Sequence, residues 1–104
     1  MWMKVTDEKS LVEKVPFRAK IDGEPIIIIK VEDELFALHN QCPHLGCALH
    51  KGELEGYFLK CPCHDWIFDI RTGEFIDATE IKLPLYQTKI EEGTVYIFKE
   101  GRVD

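Results

Sequence analysis

Every cysteine of the chain lies in one of two short runs, CPHLGC at residues 42–47 and CPCHDW at residues 61–66, with two of its four histidines. No other feature restricts the fold so tightly, because both runs must be carried to one place. Three kinds of site would explain the concentration: a disulfide staple, a zinc site or an iron–sulfur centre. A staple alone accounts for the even cysteine count but leaves His44 and His64 unexplained, and it sits poorly in an intracellular chain. Zinc accepts two Cys and two His in a tetrahedron. Zinc fingers, however, pair Cys with Cys and His with His, whereas each run here offers one of each. The grouping is Cys42-x-His44, then sixteen residues, then Cys61-x-x-His64. A 2Fe–2S cluster in which two His replace two Cys on one iron uses all of that spacing.

The remainder of the chain has to hold these runs rigid. A length of 104 residues predicts one domain, 1–104, and 45% hydrophobic residues suffice for a modest core. The longest apolar run, IIII at 26–29, is strand-sized and well short of the ~20 residues of a membrane helix. MWMKVTDEKS lacks the pattern of a signal peptide. The expectation is a soluble, cytoplasmic protein without a membrane anchor. A net charge of −6 with no basic stripe argues against nucleic acid. It suits a protein that docks on basic patches of a protein partner.

The pattern along the chain reads as β structure. FRAKIDGEPIIIIKVEDELFALHN predicts three short strands with turns at Asp22-Gly23 and Glu32-Asp33. A further strand is expected near residues 57–60, leading into the second cysteine run. Hairpins are expected around Thr72-Gly73 and Glu92-Gly93. Only DEKSLVEKV suggests a helical turn. Short strands with frequent Gly turns predict an all-β, antiparallel sandwich or barrel. Both cysteine runs then fall in loops at strand ends, where a sheet can bring them together.

CPHLGC and CPCHDWIFDIRTGEF, with the gap between them, resemble the Rieske iron–sulfur proteins, and the likeness covers most of residues 15–99. The resemblance implies a β-sandwich carrying a small inserted subdomain of two cluster-binding loops, 42–47 and 61–66. It also implies that Cys42 and Cys61 ligate one iron and His44 and His64 the other. Cys47 and Cys63 match the disulfide cysteines of the cytochrome bc branch, although a disulfide in a reducing compartment would need shielding to persist. That branch places hydroxyl-bearing residues after the second histidine. Here the positions are Asp65, Trp66 and Phe68, which look like the ferredoxins and oxygenase components of aromatic-ring dioxygenases. Trp66 and Phe68 would shield the cluster, serve the core, or both, with Leu45 as a hydrophobic lid. His39 and His50 fall outside the ligand pattern and are read as surface or strand-end residues.

Absences narrow the function. An oxygenase needs a second domain holding a mononuclear iron through two His and a carboxylate, and the expectation is that these 104 residues leave no room for one. The resemblance therefore implies a free-standing Rieske-type ferredoxin. It would pass one electron from a reductase to an oxygenase or another acceptor, and would not itself be an enzyme. A detached electron-transfer subunit of a larger oxidoreductase is the nearest alternative. A zinc-binding interaction module is the alternative of a different class.

Overall fold

Three hairpins turn on pairs of residues that share one unusual backbone conformation. Asp22 and Gly23, Glu32 and Asp33, and Glu92 and Gly93 all have positive φ, from 48° to 82°. Two-residue turns of that kind match the right-handed twist of antiparallel strands. The computed structural model describes residues 1–43 and 46–99, and these turns sit where the sequence predicts them.

The described strands run β1 (Trp2–Asp7), β2 (Phe17–Ile21), β3 (Glu24–Val31), β4 (Glu34–His39), β5 (Glu53–Glu55) and β6 (Phe58–Lys60). They continue with β7 (Ile67–Asp69), β8 (Glu74–Phe75), β9 (Ala78–Lys82), β10 (Leu85–Tyr86), β11 (Thr88–Glu91) and β12 (Thr94–Phe98). They form three antiparallel sheets, ordered β1-β12-β11, β10-β4-β3-β2 and β5-β6-β7-β8-β9. The fold is all-β, as the sequence implies.

The run of four isoleucines explains how the sheets stack. Alternate residues of a strand face opposite sides, yet Ile26, Ile27, Ile28 and Ile29 are all fully buried. Ile26 and Ile28 pack with Ala37, Val95 and Ile97 towards the β1-β12-β11 sheet. Ile27 and Ile29 pack with Leu38, Leu49, Leu59 and Phe68 towards the five-stranded sheet. Strand β3 therefore lies in a middle layer covered on both faces. Each of these side chains contributes roughly 1.5–3 kcal/mol by leaving water.

The N-terminal segment differs from expectation. The predicted helical turn is a single 3-10 turn at Glu8–Ser10, preceded by β1, which the sequence does not announce. Strand β1 pairs with β12, Met3 opposite Ile97, across almost the whole chain. Its alternation is shallow, with Met3 and Val5 only half-buried. Strands β5, β9 and β10 were equally silent, being short and largely exposed. Among the described residues, no helix is long and apolar enough to cross a membrane.

Candidate metal centre

Two connections carry the cysteine runs. The first leaves β4 and the second joins β6 to β7. A close backbone approach beside the second is permitted by Gly52, where an added Cβ would collide with the carbonyl of Lys60. Lys60 immediately precedes Cys61, so this contact fixes the entry to the second loop.

The described ends of the two loops carry the same backbone bonds. In the first, the Cys42 N–H donates to the Cys47 carbonyl at 2.9 Å and the Gly46 N–H donates to the Cys42 carbonyl at 2.8 Å. In the second, the Cys61 N–H donates to the Trp66 carbonyl at 2.7 Å and the Asp65 N–H donates to the Cys61 carbonyl at 3.3 Å. Each cysteine thus bonds backbone groups four and five residues on, and Pro43 or Pro62 follows it directly. The fourth residue needs a left-handed backbone, φ 75° at Gly46 and 59° at Asp65. The two runs are hence equivalent by position: Cys42 with Cys61, and Gly46 with Asp65.

The turns place Cys42 and Cys61 inside the protein, 1% and 0% exposed, in the same buried cluster as Leu49, Leu59 and Phe68. Neither takes part in the disulfide, which joins Cys47 to Cys63 across the loops with their Cα atoms 6.5 Å apart. The expected shielding of that bond is not found. Cys47 is half-buried and Cys63 is exposed, because the bond closes the outer side of the loops while Cys42 and Cys61 close the inner. His64 is half-buried with its Nε2 sheltered from solvent. His44 and Leu45 lie outside the described residues.

Aromatic packing surrounds the second loop. Trp66 stacks on Phe75 with ring centres 4.1 Å apart and planes 8° apart, and Phe68 meets Phe75 at 5.6 Å. Phe68 is fully buried and Trp66 half-buried. Both pack with the cluster that contains Cys42 and Cys61, so the shielding and core roles coincide. Asp65 is exposed and forms a 3.5 Å ion pair with Lys60.

The remaining histidines divide. His39 contacts Gln41 at 3.3 Å in an exposed setting. His50 is more than a surface residue. It is half-buried, and the almost fully buried Asn40 grips it twice. The His50 N–H donates to Asn40 Oδ1 and the Asn40 amide nitrogen donates to His50 Nδ1, each at 2.9 Å. The ring proton therefore belongs on Nε2. Burial lowers the pKa of His50 below 6.5, aided by the charges of Arg18 and Lys51. Sequence reasoning missed Asn40, whose only signal was an amide at a strand end beside the first loop.

The donor chemistry suits an iron–sulfur group. Buried thiols supply soft anionic ligands and imidazole a neutral one, on loops pinned by a covalent bridge. Among the described residues no three His, Cys, Asp or Glu side chains gather as a metal site, and the fourth expected donor, His44, is not among those residues.

Comparison with known proteins agrees with this chemistry. The model of the Rieske [2Fe-2S] domain family matches residues 1–98. Sulredoxin of Sulfurisphaera tokodaii is 30% identical over 104 residues, covering 93% of this chain and 95% of that protein. The anthranilate 1,2-dioxygenase ferredoxin subunit of Burkholderia cepacia is 35% identical over 82 residues, 76% of this chain and 75% of that one. A solved complex of reduced oxygenase and oxidized ferredoxin in carbazole 1,9a-dioxygenase contains a chain with TM-score 0.86 and 26% identity. The match covers 99% of this chain and 97% of that one.

Proposed function

The chain belongs to the Rieske [2Fe-2S] domain family, and on that premise we propose that Cys42 and Cys61 ligate one iron of its cluster and His44 and His64 the other, within a single domain spanning residues 1–104. The protein is a Rieske-type ferredoxin, an electron carrier and not an enzyme. Its donor and acceptor, in this reading, are a reductase and an oxygenase component, partners suggested by the dioxygenase systems to which its relatives belong. The proposed compartment is the cytoplasm.

The bound cluster supplies a one-electron couple, and the chain supplies its setting. Cys42 and Cys61 sit where water is excluded. The disulfide and the paired turns hold both loops in register, so little reorganises when charge changes. His64, less buried than the cysteines, marks the side nearer to a partner. On that side Asp65 and Glu53 border a small cleft with Lys51 and Lys60. These carboxylates would meet basic patches of the partner, and the net charge of −6 would favour encounter at low salt.

The observation that carries this reading is the repeated turn, which buries one cysteine from each loop in one core. Stopped-flow mixing of the reduced holoprotein with a dioxygenase oxygenase component tests it. The account expects transfer of one electron per chain, slowing as salt rises beyond ~0.1 M. A reduced protein that keeps its electron in the presence of every oxygenase component tried, or an oxidised one that no reductase component reduces, would overturn the assignment.

A further inference from the structure

Beside the first loop lies a cleft of about 560 Å³ whose lining includes Arg18, Lys20, Asn40, Gln41, Gly46 and His50. Among the described residues no carboxylate lines it, in a chain where Asp and Glu outnumber Lys and Arg 19 to 13. The register of the middle sheet explains how the cations arrive there. Arg18 and Lys20 alternate with Phe17, Ala19 and Ile21 on β2, and Arg18 pairs opposite Ile27. Directly opposed residues share a face, and Ile27 faces the layer that contains Cys42 and Cys61. Both cations therefore stand on the cluster side of the sheet. Among the described residues neither has an ion-pair partner, whereas Lys60, Arg71, Lys82, Lys89 and Lys99 each pair with a carboxylate.

The site is built from below. Asn40, 5% exposed, fixes the backbone and the ring of His50 together. That leaves the cleft with a neutral imidazole N–H donor beside two fixed positive charges. A guanidinium, an ammonium and an N–H donor together suit a carboxylate.

We propose that this cleft receives a carboxylate side chain of the redox partner, giving the docked complex its register. The proposal rests on the carrier reading above. It commits to a protein partner because the cleft adjoins the loop that carries Cys42, and its cationic lining contrasts with the Cys61 side, where Glu53 and Asp65 stand among Lys51 and Lys60. A free anion would use the first side alone. A protein surface can meet a cationic side with a carboxylate and a mixed side with mixed charge, and is excluded when turned the wrong way. The net negative charge brings a basic partner near, and the cleft then selects one orientation.

Fluorescence anisotropy of a labelled hexaglutamate peptide, titrated with holoprotein at low salt, tests the cleft. The wild type should bind saturably, and Arg18→Glu/Lys20→Glu should weaken binding at least tenfold. Lys9→Glu/Lys14→Glu, which makes the same charge change away from the cleft, should bind as the wild type does. Absence of saturable binding, or equal loss in both variants, overturns the proposal. So does tighter binding to phosphatidylglycerol vesicles, or complete displacement by millimolar phosphate, each of which would assign the cleft to another ligand. The electron paramagnetic resonance signal and melting temperature of the same samples report folding and cluster content. A failed cleft is thereby distinguished from a failed carrier.

Discussion

Gly46 and Asp65 occupy one and the same position in two copies of a turn, each donating its N–H to the carbonyl of the cysteine four residues earlier. Both have positive φ, a conformation that costs most residues roughly 1–2 kcal/mol and glycine almost nothing. Asp65 brings to that position both a tolerance for the left-handed backbone and an exposed carboxylate. The backbone serves the turn, and the exposed pairing of the carboxylate with Lys60 is a minor part of stability. Asp65→Gly should hold or raise stability, Asp65→Asn should change it little, and Asp65→Val should lower it by about 1–2 kcal/mol. Urea unfolding of the holoprotein measures this. Equal losses for Asn and Val would return the role to the carboxylate.

The Cys47–Cys63 bond spans a separation of 16 residues, for which loop closure predicts about 3 kcal/mol. Replacing both cysteines with Ala should lower the melting temperature by roughly 12–24 °C for a domain of this size. Cluster loss on standing should quicken as well. Because Cys63 is exposed, dithiothreitol should reduce the bond without denaturant and reproduce the double variant. Alkylation followed by mass spectrometry reads the outcome; a bond untouched under native conditions would contradict the surface position.

His50 gives the protein an acid-sensitive support. The folded state holds the ring neutral, with Nδ1 accepting from Asn40, and its pKa lies below 6.5 through burial first and the charges of Arg18 and Lys51 second. Around and below that value the unfolded chain binds a proton that the folded chain refuses. Stability is therefore fully present above pH 6.5, falls as pH drops below it, and levels once the folded ring also titrates. His50→Gln should flatten this slope between pH 7.5 and 5 in urea midpoints. An unchanged slope would assign the acid sensitivity to other groups.

Phe68 bears on the redox potential. It is fully buried in the cluster of residues that includes Cys42 and Cys61, and it brings no hydroxyl there. Rieske centres span roughly −150 to +300 mV, and this one is expected in the lower half. Phe68→Tyr should raise the midpoint by about 40 mV, the equivalent of one hydrogen bond of ~1 kcal/mol in a one-electron couple. Protein-film voltammetry of both proteins provides the comparison. A variant that folds and keeps its wild-type midpoint would show that the added hydroxyl does not reach the electron-accepting group.

What the sequence revealed follows the range of the interactions involved. The hairpin turns at Asp22-Gly23, Glu32-Asp33 and Glu92-Gly93 are local, so short motifs announced them. Cys47 and Cys63 were paired by resemblance, and the structure joins them. Strand β1 was missed because its pattern makes sense only against β12, at the far end of the chain. The four isoleucines read as one strand, but their burial on both faces needed two sheets that no local window contains. Nothing local singles out Arg18 and Lys20, because it is the register of β2 with β3 that turns them towards the first loop. The likeness of the two loops was hidden because the runs share only Cys and Pro, at their first two positions, while the equivalent Gly46 and Asp65 differ.

The central claim is that Cys42 and Cys61 share one iron and His44 and His64 the other. Pulsed electron paramagnetic resonance of the dithionite-reduced protein, with histidine labelled by nitrogen-15, tests it most directly. The account predicts a brown protein with a low-average-g signal coupled to two histidine nitrogens. Either coupling should disappear in His44→Cys or His64→Cys, with a fall in potential as anionic sulfur replaces neutral imidazole. A reduced cluster without strongly coupled nitrogen, or a colourless protein carrying zinc, would contradict it.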